Sequence, residues 1–304
     1  MPSYDLRSFT RRPGIKGGAQ MTAALIVRIV TSYPGMMRDP ASLPPFIHQA
    51  SLLEVPGCGM QSMESLNTCA SLMQLLGSGT PGSRKLVWKN VRLECERFYT
   101  DWMILDEWEL LSSMQALLIY ILLRLQEGEH TFNNFDVLLL SAMWVIACAL
   151  NLKIGNLECS SPTGLSYGTT YEEWVFEESR RRLAMTFRTI GMLVSTEPAG
   201  GCTLFDDFLL APLPARKQLW EARSETQWML EKHRNPSSDG VFGIKMDGTM
   251  VRLNGYSKSQ SDHEPLAMHS QASSDTANSV NWQEWCSGMD GLGSLVMLAA
   301  SLPV

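Results

Sequence analysis

The stretch YEEWVFEESRRRLAMTFRTIGMLV, Tyr171 to Val194, decides the fold. It holds no proline and a single glycine, Gly191, near its end, so nothing interrupts a helical pattern. Thr170 and Glu173 supply the S/T-x-x-E spacing of a capping box, in which each side chain satisfies an orphan backbone N–H of the other. At about 100° per residue, Phe176, Leu183, Phe187, Ile190 and Val194 share one stripe. Tyr171, Trp174, Val175, Met185, Met192 and Leu193 make a second. The polar wedge is narrow: Glu173, Glu177, Arg180, Arg181 and Arg188. A helix apolar over most of its circumference packs on several sides, which places this one at the centre of a helical domain. Glu178 and Arg182 fall inside the apolar arc, four residues apart, where they can pair. An ion pair in such a place is a costly device, suited to fixing register rather than to adding stability.

Upstream of this helix the same period recurs. Leu110, Leu111, Met114, Leu117, Leu118, Ile121, Leu122 and Leu125 set a helix over Trp108–Gln126, with Gly128 as its stop. Phe135 to Leu150, with Trp144 in its middle, is apolar all round and is expected to be the most buried helix. Leu86–Tyr99 and Ser62–Leu75 read as two more, and Met21–Thr31 as a short one. The proline-rich YPGMMRDPASLPPFIH, 33–48, cannot be regular for long but keeps enough apolar side chains to lie ordered across a core. His48 within it has no ligand partner at i+4 and reads as a structural histidine.

Downstream, PLPA (212–215) leads into a helix over Leu219–Glu231. VFGIKMDGTMVRL, 241–253, places Asp247-Gly248 between alternating segments, the signal of a type I′ hairpin. The expected fold is therefore all-α: a large multi-helix single domain with one short β-hairpin near 241–253. Residues 1–20 read as a disordered basic arm and 21–254 as the helical domain. Residues 255–281, rich in Ser, Gln and Asp, read as a flexible linker, and 282–304 as a terminal helix docking back.

Bulk properties narrow the function. A net charge of −6 over 304 residues speaks against the chain as a whole binding nucleic acid, which needs clustered Lys and Arg. The seven cysteines are odd in number, scattered and without a C-x-x-C pair, as reduced intracellular thiols would be. The longest uncharged helical runs, Leu110–Leu123 and Val137–Leu150, fall short of the roughly 20 apolar residues of a membrane span, so no membrane contact is expected. The five histidines form no H-E-x-x-H or H-x3-H pair, which leaves metal catalysis without a foothold. Gly164-Leu165-Ser166-Tyr167-Gly168 matches the G-x-S-x-G of a nucleophile elbow, yet Pro162 and a loop precede it where a strand is required. A serine hydrolase using Ser166, with Asp206 or Asp239 and His263 filling the other roles, is the weakest of the readings, and no enzyme activity is expected.

Several segments together resemble the fungal-specific regulatory (middle homology) domain of Zn2Cys6 zinc-cluster transcription factors, of the type that controls secondary-metabolite gene clusters. They are SYPGMM (32–37), LPPFIH (43–48), MQALLIYILLRL (114–125), WVFEESRRR (174–182), PLPARKQLWEA (212–222) with Trp228, GIKMDGTMVRL (243–253) and WCSGMDGLGSLVMLAA (285–300). In order they cover most of the chain from about residue 21. The resemblance implies an all-α regulatory domain, a nuclear location and a role in transcription. It assigns a structural and regulatory core to Trp174, Glu178, Arg181, Arg182 and Trp220, the E-x-x-R-R element falling on Glu178, Arg181 and Arg182. The chain departs from the family in having no closely spaced cluster of six cysteines near its start. No zinc ligand carries over, so zinc is expected only if a zinc cluster precedes these residues, and direct DNA binding is not expected of them. The implied partners are other transcription factors, the transcription machinery, or a second copy of the chain in a homodimer. The rival reading is a helical interaction protein without regulatory output.

Overall fold

A computed structural model describes residues 9–11, 18–39, 41–51, 63–80, 82–155, 170–195, 208–234, 241–253 and 271–302. The architecture is the helical one expected, with little strand. The chain divides into two compact units where one domain is expected from the sequence. The first comprises Met1–Asn156, Thr186–Cys202 and Leu302–Val304, and the second Leu157–Met185 and Thr203–Ser301.

The first unit contains α1 (Ala19–Met36), α2 (Glu64–Gly77), α3 (Ser83–Asp101), α4 (Glu107–Glu127) and α5 (Asp136–Ile154). Its axis is α4, which packs against α1, α2, α3 and α5. Asp106 starts α4 by accepting the Glu109 N–H at 2.8 Å. Gly128, at φ +75°, ends it. Every residue from Glu109 to Arg124 is buried. Most of the polar ones among them are supplied with partners, as burial demands, with Gln115 Oε1 and Tyr120 OH the exceptions. Glu109 accepts from the Ser65 N–H at 3.0 Å and from Ser112 Oγ at 3.1 Å. Gln115 Nε2 donates to Phe46 O at 2.8 Å, which pins the proline-rich segment to the core. Phe46, Ile47 and His48 are buried there, and His48 Nδ1 accepts the Ala50 N–H.

Three expectations are corrected in this unit. The most buried helix is α4, not α5, which leaves Val137, Trp144 and Leu152 exposed at 46%, 39% and 78%. Hydropathy gives α5 no outward face, but among the described residues α3 and α4 cover only one side of it. Helix α1 runs past Thr31 to Met36 with Pro34 inside it. So close to the helix end, a proline forfeits one backbone bond and does not break the element. The basic arm is not wholly without structure, because Thr10–Arg11 (β1) pairs antiparallel with Val194–Ser195 (β2).

The second unit takes Tyr171–Met185 of α6 (Tyr171–Gly191), β3 (Phe208–Leu210), α7 (Lys217–Trp220), α8 (Glu225–Arg234), β4 (Phe242–Lys245), β5 (Met250–Arg252), α9 (Gln271–Ser287) and α10 (Gly291–Ala300). The capping box forms as read: Glu173 N–H donates to Thr170 Oγ1 at 3.2 Å and Thr170 N–H to Glu173 Oε2 at 2.9 Å. Helix α6 is buried around most of its circumference, including Arg180, which the sequence places in the polar wedge.

Strands β3, β4 and β5 form an antiparallel sheet in that order. The hairpin between β4 and β5 is the expected one, but its turn is not type I′. Gly248 N–H donates to Lys245 O at 3.0 Å, so Gly248, at φ +83°, closes the turn where type I′ would place it in the centre. This is the longer hairpin connection in which a left-handed glycine follows the turn. Strand β3 carries no alternation and is not foreseen. Residues 271–281, expected to belong to a linker, form the first part of α9, and 254–270 lie outside the described residues. The terminal helix is two helices, α9 and α10, and the one expected over Leu219–Glu231 is α7 and α8.

The outer edge of β5 is closed by α9. Asn278 Oδ1 accepts the Met250 N–H at 2.8 Å, and Asn281 Nδ2 donates to Met250 O at 3.0 Å. Three residues apart, the two amides lie on one face of the helix and supply both halves of a backbone pairing.

Candidate functional site

The residues singled out from the sequence gather in the second unit. Glu178 and Arg182 sit one helical turn apart on α6, at 1% and 0% exposure. Arg182 Nε donates to Glu178 Oε1 at 2.8 Å, and Arg181 donates to Glu178 Oε2 at 2.6 Å. The E-x-x-R-R element is thus one network, with a single carboxylate receiving both arginines. Neither guanidinium is left to solvent to the extent a charged surface run would be.

The network extends to two distant stretches. Glu178 Oε1 also accepts the Ala215 N–H at 2.8 Å, and Arg182 donates to Ala215 O at 3.0 Å. The remaining Arg182 nitrogen reaches Asp290 Oδ2 at 2.5 Å. The face of the guanidinium lies 4.2 Å from the centre of the Trp220 ring. Each nitrogen of Arg182 therefore has an oxygen, and its face has an aromatic ring. A cation so completely occupied holds chain segments together and has no valence free for a ligand.

The segments it holds are themselves tightly placed. Residues 211–217 begin with a cis Ala211–Pro212 bond. Leu213 N–H then donates to Phe242 O at 2.7 Å, Trp285 Nε1 to Pro214 O at 3.2 Å, and Lys217 N–H to Gly288 O at 2.7 Å. Gly288 is required by this approach, since a Cβ there would lie 2.6 Å from Arg216 Cβ. Asp290 starts α10, its Oδ1 accepting the Leu292 and Gly293 N–H groups at 2.9 and 3.0 Å. WVFEESRRR, PLPARKQLWEA and WCSGMDGLG, read as separate stretches, thus meet at one node.

Trp174 is the exception among the five. It packs on Trp228, with ring centres 5.8 Å apart, beside Tyr171, whose hydroxyl donates to Ala222 O at 2.7 Å. Asp290 is the residue that sequence reasoning missed. Its capping role was signalled by an aspartate immediately before an apolar run, whereas its contact with Arg182 had no local signal.

Among the described residues, reactive groups elsewhere are few. Cys69 and Cys95 are fully enclosed in the first unit, where burial pushes both thiols well above the usual range. Buried thiols of that kind are inert. Arg124 and Asp136 make a buried two-bond pair at 2.8 and 3.1 Å. Burial raises the Asp136 carboxyl against the lowering effect of Arg124. The pair forms part of the wall of a cavity of about 370 Å³. Among the described residues no group of three His, Cys, Asp or Glu side chains could hold a metal ion. Ser166, Asp206, Asp239 and His263 lie outside the described residues. Helices α4 and α5 are long and apolar enough to cross a membrane by length and composition, although most of α4 is buried in the core of its unit. In comparisons with known proteins, no family model, no curated protein and no solved structure matches the chain.

Proposed function

We propose that this chain is a nuclear regulator of transcription that controls a fungal secondary-metabolite gene cluster through protein contacts. The observation that carries the reading is the ordered set of segments resembling the regulatory domain of zinc-cluster transcription factors, three of which converge on the Glu178–Arg182–Asp290 node. A saturated, buried node of this kind suits a scaffold whose work is done at its surface. Helix α5 supplies such a surface: Val137, Trp144, Cys148 and Leu152 recur along one outward side. The partners are other transcription factors or the transcription machinery, with a homodimer as the alternative arrangement. The proposal includes no enzyme activity, no cofactor in this chain, no membrane contact and no direct DNA binding.

Deleting the gene and measuring transcripts of the neighbouring biosynthetic genes tests this reading. Regulation predicts that those transcripts change and are restored by the wild-type chain, with Trp144→Asp restoring less. Unchanged transcripts would favour a helical interaction protein without regulatory output. Tight, sequence-specific promoter binding by the purified chain alone would overturn the restriction to protein contacts. Hydrolytic activity lost in Ser166→Ala would replace the proposal altogether.

A further inference from the structure

A second cavity in the first unit, of about 600 Å³, has a different chemistry from the node. It opens between the C-terminal ends of α1, α2 and α4, with Leu76 half-buried in its wall and Pro34, Met73 and Leu123 buried behind it. That volume lies within the range of small-molecule sites, about 300–1,000 Å³. Arg38, Arg84, Glu127 and His130 line it as well.

The charges do not cancel. Glu127 is engaged by Arg84 at 3.0 Å and by the Trp88 indole N–H at 2.8 Å. That leaves Arg38, whose guanidinium meets only Gly35 O, through Nε at 3.2 Å, among the described residues. Its side chain is exposed, with its stem packed against α2. A Cβ on Gly77 would come within 2.6 Å of Arg38 Cδ, so the stem lies directly against the bare Cα of that glycine. Two arginines against one glutamate leave a surplus of one positive charge at an apolar wall. Arg38 keeps its terminal nitrogens in the fork that matches a carboxylate.

We infer that this cavity is a binding site for a small organic monoanion, a carboxylate on an apolar body, with Arg38 as the anion-binding residue. The single surplus charge matches a monocarboxylate better than a phosphate dianion. Leu76 and the aliphatic stem of Arg38 receive the body, and His130, stacked on Phe132 at 5.1 Å, borders the polar end. The site stands whether or not the chain regulates transcription, because it is read from binding to the purified protein.

The experiment is calorimetric titration of the whole chain with hexanoate, octanoate, benzoate and 4-phenylbutyrate, each beside its neutral amide, and with inorganic phosphate. At least one carboxylate should bind saturably and about tenfold more tightly than its amide, and phosphate more weakly. Arg38→Gln should abolish the preference for carboxylate over amide with the melting temperature unchanged. Leu76→Trp, which intrudes on the cavity, should weaken binding of both. Absence of saturable binding by all four carboxylates, equal binding of acid and amide, or tighter binding of phosphate would overturn the inference. So would an Arg38→Gln protein that melts lower yet binds as before, since Arg38 would then serve only as a cation at the end of α1.

Discussion

Asp290 Oδ2 stands 2.5 Å from a nitrogen of Arg182, 108 positions away in sequence, while its other oxygen holds the first N–H groups of α10. One carboxylate thus joins the E-x-x-R-R element to the start of the last helix. A substitution at any corner of this arrangement acts on three stretches of chain at once.

Arg182→Ala should be severely destabilising. It leaves the Glu178 carboxylate and Ala215 O short of partners at a site with 1% exposure at Glu178. Loss of one partner of a buried pair costs about 3–5 kcal/mol. Urea unfolding measures this. A Glu178→Gln/Arg182→Met protein, which removes both charges but keeps an acceptor for Ala215 N–H, should lose clearly less than the two single changes combined.

At Asp290 the two roles separate. Asparagine preserves the cap on Leu292 and Gly293 but not the charge facing Arg182, whereas alanine removes both. The cap alone is worth about 1 kcal/mol. Asp290→Ala should therefore be less stable than Asp290→Asn by about that amount in the same denaturant series. Equal stabilities would show that the cap contributes nothing here.

Gly243 in β4 has no room for a side chain. A Cβ would lie 2.6 Å from the Phe208 ring and 2.9 Å from Ala211 Cβ. Gly243→Ala should push β3 off β4 and cost about 1–3 kcal/mol. Faster hydrogen exchange at the Leu213 N–H, which donates to Phe242 O, would report the displacement.

The hairpin turn should weaken in acid. The Thr249 N–H donates to Asp247 Oδ1 at 2.8 Å and holds that carboxyl below its ordinary value. A folded value lowered in this way gives stability that is complete above the unfolded value, about pH 4. That stability is lost as pH falls through the lower folded value. The Gly248 amide resonance should follow this loss, and Asp247→Asn, which keeps an acceptor oxygen but does not titrate, should abolish it.

What the sequence revealed was local. The capping box at Thr170 and Glu173 and the pairing of Glu178 with Arg182 follow from spacings of three and four residues, so helical geometry alone discloses them. Asp290 and Ala215 join the same network across long separations that no periodicity encodes. The exchange of rank between α4 and α5 has a similar cause. Ser112, Ser113 and Gln115 make α4 look less suited to burial, yet their neighbours receive those polar atoms. The apolar outward side of α5 has no neighbour among the described residues. SSDTANSV, read as a polar linker, lies within a helix, and its Asn278 finds an acceptor role on another element.

That asparagine, with Asn281, has an effect beyond its own helix. A strand at the margin of a sheet offers its unpaired amide groups to any extended peptide nearby, the usual route to strand exchange and fibrous aggregation. By satisfying both groups of Met250, the two side-chain amides withdraw this invitation at that residue of β5. Strand addition at that position is thereby blocked by side chains of the chain itself.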